Sequence, residues 1–402
     1  MTQTYTEEKS VAGRRRVLKA GAGLMAAPML GAMAASSGNR GGIRNDPSAA
    51  AAQNVRAVGA KSATAPLGSL TISRRAVGPR DVLLDILYCG VCHSDIHTVR
   101  GEWGPTQYPC VPGHEIVGRV IAVGTEVTKF QVGDIGGVGC IVDSCGVCEP
   151  CQDDLEQYCE KGMTQTYGSP DAHTGGYTFG GYSDRVVVKD HFVIRIPPGA
   201  DLAAMAPLLC AGVTTFSPMQ HWKLERGQRV GVVGMGGLGH VAVQLAAARH
   251  AEVTVFTTTS SKLGDAKRLG ATDAVLSTDA AAMKAHAGKF DLIISTVPNG
   301  YPMQAFIDLL KLNGTLVNVG AMEPLKEVNG LHLAIGRRAL AGSIIGGIAE
   351  TQEVVDYCAA RNIKAQVQLI RPDEINTAFE GVIDKSVRYR YVIDFASSKR
   401  AG

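Results

Sequence analysis

A glycine cluster between an apolar run and a helical stretch constrains the fold of this 402-residue chain most strongly. Residues 229–233 are Arg-Val-Gly-Val-Val, which is typical of a buried parallel strand. The next six are Gly-Met-Gly-Gly-Leu-Gly, and a helical stretch follows over 240–249. This order predicts a parallel α/β sheet whose glycines bring backbone N–H groups to a dinucleotide pyrophosphate. The predicted contacts are Gly234, Gly236, Gly237, Leu238 and Gly239.

The next strand, over 252–256, indicates which dinucleotide is bound. An NAD site usually ends this strand with a carboxylate that binds the adenosine ribose. Here the strand runs into Thr257, Thr258 and further hydroxyl residues up to Lys262, and the first carboxylate is Asp265. Hydroxyls with a lysine would accept a 2′-phosphate, so the sequence favours NADP(H). The alternative is that this run is an ordinary solvated loop.

Two further strands, predicted over 290–297 and 314–320, each follow a helix-like stretch and complete an alternating β/α pattern. The carboxyl ends of parallel strands face the ligand crevice in such sheets. We therefore expect four residues at these ends to line the nicotinamide cleft: Thr296, Val297, Val319 and Gly320.

Four cysteines stand in the pattern C-x2-C-x2-C-x7-C, at Cys145, Cys148, Cys151 and Cys159. Tetrahedral zinc takes four thiolates, and short spacings let one looped segment supply them all. Two disulfides are the alternative, but cysteines at intervals of three are poorly placed to pair with one another. The pattern predicts a structural zinc site with no position left for substrate.

A second set of metal-binding residue types is dispersed along the chain. Cys92, His114 and Cys210 would supply two thiolates and one imidazole. Catalytic zinc takes three protein ligands of this kind and keeps a fourth position for water or substrate. Each residue alone is more simply explained as a buried core residue, but the three together predict an open zinc site.

Several motifs around these residues resemble those of zinc-containing medium-chain dehydrogenases, and more narrowly the cinnamyl alcohol dehydrogenase branch with its bacterial broad-range aldehyde reductases. The resemblance runs from about Val55 to Phe395. It is carried by Tyr-Cys-Gly-Val-Cys-His-Ser-Asp (88–95), Tyr-Pro-Cys-Val-Pro-Gly-His-Glu (108–115), Pro-Leu-Leu-Cys-Ala-Gly-Val-Thr-Thr (207–215) and Gly-Gly-Ile-Ala-Glu-Thr-Gln-Glu (346–353).

The resemblance implies roles for residues around the open site. Cys92, His114 and Cys210 would bind the catalytic zinc, and Glu115 would lie beside the metal as a transient ligand. Ser94 and His97 match a proton relay that runs from the alcohol through the nicotinamide ribose to solvent. Asp95 would either orient the metal site or serve as an acid at a helix amino terminus. Ser343 and Ile344 match a later nicotinamide contact.

The resemblance also implies the architecture and the reaction. We expect an α/β chain with a GroES-like β-barrel catalytic domain over 55–206 and 343–402. A Rossmann doubly wound parallel sheet would occupy 207–342. Two zinc ions and NADP(H) would serve hydride transfer between a primary alcohol and its aldehyde, with reduction as the favoured direction. A homodimer joined through the nucleotide domains is expected.

The amino-terminal segment predicts that the protein is exported. Arg14 and Arg15 precede a variable residue, an apolar pair and Lys19, and a mild Ala/Gly/Met/Leu stretch runs to Ala35. This resembles a twin-arginine export signal over 1–34, followed by a flexible linker over 35–54. The stretch is too short for a stable membrane anchor. The alternative is an unprocessed basic tail on a cytoplasmic protein.

The net charge and the remaining residues bear on the possible partners and functions of the chain. The formal net charge is +3, and the chain beyond residue 34 is formally neutral, which argues against nucleic acid as a partner. Competing interpretations are a zinc polyol or sugar dehydrogenase, a non-catalytic NADP-binding protein and a metal-storage protein. Trp103 is either a wall for the substrate or a core residue. Four cysteines without metal partners are interpreted as core residues: Cys89, Cys110, Cys140 and Cys358.

Overall fold

The computed structural model describes residues 50–320, 323–325 and 328–400, with side chains described up to residue 397. The predicted export signal and most of the predicted linker lie outside the described residues. The first strand begins at Gln53, so the last two residues of the predicted linker already belong to it.

The strands are β1 (Gln53–Gly59), β2 (Gly68–Arg74), β3 (Asp81–Gly90), β4 (Ile116–Val123), β5 (Ile135–Val138), β6 (Ile141–Asp143), β7 (Thr164–Gln165), β8 (Arg185–Lys189), β9 (Ile194–Arg195), β10 (Arg229–Val233), β11 (Glu252–Thr257), β12 (Asp273–Leu276), β13 (Phe290–Ser295), β14 (Leu310–Asn318), β15 (Ala339–Gly342), β16 (Val367–Ile370) and β17 (Arg390–Asp394). The helices are α1 (His93–Val99), α2 (Glu149–Gln152), α3 (Leu202–Met205), α4 (Ala211–His221), α5 (Gly239–Ala248), α6 (Leu263–Arg268), α7 (Ala280–Ala285), α8 (Gln304–Ile307), α9 (Gly330–Gly336), α10 (Ile348–Ala360), α11 (Ile375–Ile383) and α12 (Phe395–Arg400).

The catalytic domain is built on a mainly antiparallel sheet in the order β16-β17-β3-β4-β5-β9, and β8 also pairs with β3. Strand β3 is central: it pairs with β17, β4 and β8, and its Val82, Leu84 and Ile86 are fully buried. Because β16 and β17 come from the carboxyl-terminal segment, the chain returns to its first domain after crossing the nucleotide domain. This arrangement brings residues near 390 next to residues near 91.

The nucleotide domain contains a parallel sheet in the order β12-β11-β10-β13-β14-β15. Valines and isoleucines fill both faces of its central strands, because helices cover the sheet on each side; Val230, Val255 and Ile294 are fully buried. Strand β10 has its predicted bounds. Strands β13 and β14 end at Ser295 and Asn318, two residues before the predicted ends. The sheet lies within the predicted range 207–342.

Within the described part of the chain, no single helix is long and apolar enough to cross a bilayer. A bent pair, Leu202–Leu209 with Ala211–His221, passes the test of length and composition together.

Candidate active site

A cavity of about 640 Å³ lies in the cleft between the two domains. Its walls include the predicted metal ligands Cys92, His114 and Cys210 on one side and the glycine turn on the other. Most of its lining is apolar. A single cavity therefore contains both predicted sites, the open metal site and the dinucleotide site.

Four side chains converge at the bottom of this cavity. One ligand atom from each of Cys92, His114, Glu115 and Cys210 lies within 4.8 Å of the others, and all four residues are buried. His114 Nε2 is 3.2 Å from Cys210 Sγ, although the two residues are 96 positions apart in the chain. This donor set and its burial fit a zinc ion with an open coordination position.

Asp95 holds this set in place from beneath. Its Oδ1 is 3.1 Å from His114 Nδ1 and accepts a hydrogen bond from Gly113 N. Its Oδ2 accepts hydrogen bonds from Cys92 N at 2.8 Å and from Tyr182 Oη at 3.0 Å. With Nδ1–H donated to the carboxylate, Nε2 is the imidazole atom left for a metal. Asp95 also caps the start of α1, so its contacts are compatible with both sequence interpretations.

The thiols at the bottom of the cavity interact with one another. The Cys210 thiol hydrogen-bonds to Cys140 and Cys92, which raises the pKa of Cys210 and lowers the pKa values of Cys92 and Cys140. Cys140 packs against the hydrophobic core, as predicted, and it also lines the cavity next to Cys210. The sequence spacing gave no signal for this position.

Glu115 is fully buried behind the ligands, and burial raises its pKa to about 8. Neither carboxylate oxygen has a hydrogen-bond partner among the described residues, although Arg390 Nη2 lies 3.4 Å from Oε1. Arg390 is itself buried, and its Nη1 donates to Val91 O at 2.9 Å. A buried carboxyl group whose oxygens have no hydrogen-bond partner among the described residues fits the predicted role of Glu115 as a transient metal ligand. Arg390 comes from β17, and sequence reasoning missed it.

The predicted relay residues lie on α1 above the metal ligands. Ser94 Oγ is 3.0 Å from Cys92 Sγ and 3.5 Å from His114 Nε2, so its hydroxyl is at the metal position. His97 Nδ1 is 2.5 Å from Glu102 Oε2, and among described residues its buried Nε2 has no hydrogen-bond partner. Glu102 was not predicted. It lies beyond the end of α1, where the chain folds back.

Aromatic rings hold His97 on both sides. His93 stacks on it at a centroid distance of 4.6 Å and Trp103 at 4.8 Å. Trp103 lines the cavity and is 49% exposed, so it is a wall of the cavity and not a core residue. An indole ring at this position offers a flat apolar surface to a substrate.

The predicted structural site is a separate lobe. The sulfurs of Cys145, Cys148, Cys151 and Cys159 lie within 4.8 Å of one another, and all four are free thiols. This excludes the disulfide alternative in this structure. Backbone N–H groups of Val147 and Cys148 lower the pKa of Cys145 to about 6, whereas burial raises the pKa of Cys151 to about 11. Four converging sulfurs fit a closed tetrahedral zinc site.

The glycine turn has the geometry expected of a pyrophosphate site. Gly234 has φ = +92°, a conformation that favours glycine. A Cβ on Gly239 would meet Gly234 O, and one on Gly237 would lie 2.8 Å from the guanidinium of Arg390. The glycines therefore keep the backbone open to a ligand and bring the turn close to Arg390.

Most of the predicted cofactor contacts line the cavity: Gly234, Gly236, Gly237, Leu238, Thr257, Thr258, Lys262, Thr296, Val297, Val319, Gly320 and Ile344. Gly239 lies behind them, where it permits the tight turn. Ser343 is not in the lining, and its backbone N–H donates to Asn318 O at 3.2 Å, so its predicted cofactor contact stays a prediction. Ile345 lines the cavity together with Ile344 instead.

Comparison with known proteins agrees with this geometry. Residues 78–198 match the family described as alcohol dehydrogenase GroES-like domain, and residues 237–360 match the zinc-binding dehydrogenase family. The aldehyde reductase YahK of Escherichia coli is 53% identical over 342 residues, which span 85% of this chain and 98% of that protein. A mannitol dehydrogenase of Petroselinum crispum is 51% identical over 83% of this chain and 98% of its own length.

A solved structure of the cinnamyl alcohol dehydrogenase of Helicobacter pylori in complex with NADP(H) superimposes with a TM-score of 0.81 at 41% identity. It covers 85% of this chain and 98% of its own. The two-domain fold, the buried Cys/His/Cys set with its adjacent glutamate, the four-cysteine lobe and these similarities lead to one conclusion. The chain belongs to the zinc-binding medium-chain alcohol dehydrogenase family.

Proposed function

We propose that this chain is an NADP(H)-dependent zinc alcohol dehydrogenase whose favoured reaction is the reduction of aldehydes to primary alcohols. The observation that carries the proposal is the open set of Cys92, His114 and Cys210 at the bottom of the same cavity that contains the glycine turn. The similarity to an aldehyde reductase over nearly that protein's whole length supports the substrate class.

Separate groups would supply the Lewis acid, the hydride and the proton for aldehyde reduction. When bound, zinc supplies a Lewis acid for the substrate oxygen, and the nicotinamide supplies the hydride. Ser94, whose hydroxyl lies beside the predicted ligands Cys92 and His114, would give its proton to the substrate oxygen as the aldehyde is reduced to the alcohol. His97 resupplies the proton from solvent, and Glu102 holds its ring by the bond to Nδ1. The apolar walls keep water away from the reacting carbon.

The choice of NADP(H) rests on the strand after the glycine turn. Thr257, Thr258 and Lys262 line the cavity where β11 ends, and Lys262 is nearly buried there. A buried ammonium beside hydroxyl groups suits a phosphate, and this strand end has no carboxylate of the kind that binds the free ribose hydroxyls in NAD sites. A bound 2′-phosphate would offset the cost of burying this charge.

The direct test follows the loss of absorbance of the reduced nicotinamide with benzaldehyde and a medium-chain aldehyde. NADPH and NADH are compared in parallel on the zinc-loaded protein without residues 1–34, with Cys92→Ala as control. We expect fast NADPH oxidation, slow NADH oxidation and an inactive control. Equal rates with both cofactors would contradict the phosphate argument and leave the enzyme class in place. No turnover of any substrate would favour the non-catalytic or metal-storage interpretation.

A polyol dehydrogenase is the second candidate, and the similarity to a mannitol dehydrogenase favours keeping it. The apolar cavity lined by Trp103, Ile344 and Ile345 argues for a less hydroxylated substrate. A panel with mannitol and sorbitol against benzyl alcohol separates the two. A higher kcat/KM for a polyol than for benzyl alcohol would reverse the assignment.

We also propose that each chain binds two zinc ions and that two chains form a homodimer. Strand β15 forms one end of the described nucleotide sheet, and an end strand can pair with its copy. Leu331 and Ile335 of the nearby α9 are 64% and 72% exposed. Metal analysis should give about two zinc ions per chain, and light scattering should give twice the chain mass. Leu331→Lys with Ile335→Lys is expected to yield a monomer.

Finally, we propose that residues 1–34 direct export of the folded protein by the twin-arginine machinery. The support is Arg14 and Arg15 with the apolar stretch after them. Folded export suits a protein that must acquire metal before it meets an oxidising compartment. Fractionation should find the protein outside the cytoplasm, and Arg14→Lys with Arg15→Lys should retain it inside. Retention of both proteins in the cytoplasm would contradict the proposal.

A further inference from the structure

Three cations meet where the two domains face each other at the adenosine end of the cavity. Lys262 belongs to the loop between β11 and α6 of the nucleotide domain. Lys385 and Arg388 belong to the segment between α11 and β17 of the catalytic domain. Lys262 and Lys385 both line the cavity. We refer to these three residues as the adenosine cation cluster.

Direct contacts join the two sides of this cluster. Arg388 Nη2 donates to Ser261 Oγ at 3.1 Å, so the catalytic domain touches the hydroxyl run that follows β11. The next residue, Tyr389, donates from its hydroxyl to Asp265 Oδ2 at 2.6 Å. Lys262 Nζ lies 5.7 Å from the centre of the Tyr389 ring. The segment around Arg388 is therefore held against the strand end that is expected to bind the ribose.

The cluster carries more positive charge than its carboxylates neutralise. Burial lowers the pKa of Lys262, and the positive charges of Arg388 and Lys385 lower it further. Asp265 is the nearby acid, but Arg268, Arg388 and Tyr389 already engage its carboxylate. Among the described residues, neither lysine Nζ has a carboxylate within 4.0 Å. A converging, partly buried set of cations facing a cavity is a site for an anion of high charge.

We propose that Lys385 and Arg388 of the catalytic domain complete the receptor for the adenosine 2′-phosphate of NADP(H). This rests on the proposed use of NADP(H). A phosphate monoester carries a charge of about −1.5 to −2 near neutral pH, more than one lysine can balance. Lys262 and the threonine hydroxyls would bind one side of the phosphate. Arg388 would bind the other side with its planar fork of donors, and Lys385 would add a second ammonium.

The consequence is that the phosphate joins the two domains, whereas NADH has no group to do so. Cofactor choice is then set partly by the catalytic domain, outside the strand where such selectivity is usually sought. Each charge-assisted hydrogen bond to the phosphate contributes about tenfold to a hundredfold in affinity. NADH binding should depend little on Lys385 and Arg388.

The experiment uses calorimetric titration of the full zinc-loaded chain with 2′,5′-ADP and with 5′-AMP, which differ by the 2′-phosphate. The variants are Arg388→Gln, Lys385→Gln and the double variant, with Lys262→Gln as the nucleotide-domain reference. Arg371→Gln is the matched control, because Arg371 is exposed and pairs with Asp373 and Glu374 instead. Arg388→Lys tests whether charge alone restores binding.

We expect each single substitution to weaken the binding of 2′,5′-ADP about tenfold and to leave the affinity for 5′-AMP unchanged within about twofold. The NADPH-to-NADH ratio of kcat/KM should fall in parallel, and thermal unfolding should be unaltered. If Lys262→Gln weakens the binding of 2′,5′-ADP while the Arg388 and Lys385 variants do not, the inference is overturned and the NADP(H) proposal stands. Equal loss of both nucleotides would overturn it as well, because it indicates a structural role. No preference of the unmodified protein for 2′,5′-ADP would overturn both proposals.

Discussion

The two cysteine sites of this chain use similar ligands but depend on very different amounts of the fold. The closed site draws its four sulfurs from residues 145–159, and local contacts such as Cys148 N to Cys145 Sγ at 3.4 Å shape it. The open site joins Cys92, His114 and Cys210 from three distant segments, and these three side chains are buried at the wall of the cavity. The closed site is a property of one loop, whereas the open site is a property of the two-domain architecture.

This difference assigns the sites their roles. Four sulfurs would complete a tetrahedron around zinc and leave no position for substrate, so we expect the lobe to contribute only stability. Three ligands at the bottom of a cleft would leave one position facing the cavity, and we expect Asp95 to orient the ligands, Arg390 to balance charge and Ser94 to move a proton. Variants in the two sites should therefore change different measured quantities.

Cys92→Ala should have the largest effect. Removing one of three ligands should empty the open site, so zinc should fall from two ions per chain to one. Aldehyde reduction should fall roughly a thousandfold or more, because a metal Lewis acid contributes several kcal/mol to the barrier. Mass-spectrometric metal analysis and steady-state rates check this. Cys358→Ala, at another fully buried cysteine, should keep both ions, and a full zinc content in Cys92→Ala would contradict the ligand assignment.

Asp95→Asn should have the second-largest effect. It should weaken only the open site, because Asp95 supports the ligands of that site and not those of the four-cysteine lobe. The amide cannot bind His114 Nδ1, Cys92 N and Tyr182 as the carboxylate does. We expect zinc affinity at the open site to fall about tenfold to a hundredfold, as for other groups that orient metal-binding histidines. Competition with a chelator, site by site, measures this. Equal weakening of the lobe would show that the effect is general destabilisation.

Glu102→Gln should have a smaller effect, of about tenfold on kcat, because Glu102 orients His97 and does not itself touch substrate. The KM for NADPH should stay constant, and the solvent deuterium isotope effect on kcat should rise as proton transfer becomes slower. Glu102→Asp should recover part of the rate. An unchanged isotope effect with a reduced kcat would contradict a role in proton transfer.

Cys148→Ala should change the rate least. The lobe should lose its zinc, and the melting temperature should fall by roughly 5–10 °C, since structural zinc contributes several kcal/mol to folding. The kcat per folded, zinc-loaded molecule at low temperature should stay within about twofold of the original, because the lobe contributes no ligand to the cavity. A loss of activity comparable to that of Cys92→Ala would remove the distinction between the sites.

The same comparison explains how far the sequence could predict this molecule. The glycine turn and the lobe depend on spacing within one segment, so their residues could be named in advance with their roles. The ligands of the open site could be named because each lies in a distinctive motif. The residues that surround these ligands could not be named. Arg390 reaches the site because β17 pairs with β3, and Cys140 reaches it because the loop after β5 packs against Cys210.

Glu102 shows the same limit over a shorter distance. It lies five residues after His97, past the end of α1, so neither helical nor strand spacing indicates a contact. Only the turn after Val99 brings its carboxylate to Nδ1. Ser343 differs from these residues, because its motif suggested a cofactor contact that stays a prediction, while its backbone N–H donates to Asn318 O in β14.

The position of Trp103 has a practical consequence. The chain contains two tryptophans, and Trp103 stacks on His97 at the rim of the cavity, while Trp222 packs beside His221 in the nucleotide domain. Indole emits light at wavelengths that a reduced nicotinamide absorbs. With Trp222→Phe, the chain carries a single tryptophan, Trp103, which lines its own binding cleft. Arrival of cofactor and substrate can then be timed optically, without an attached dye and before any chemistry takes place.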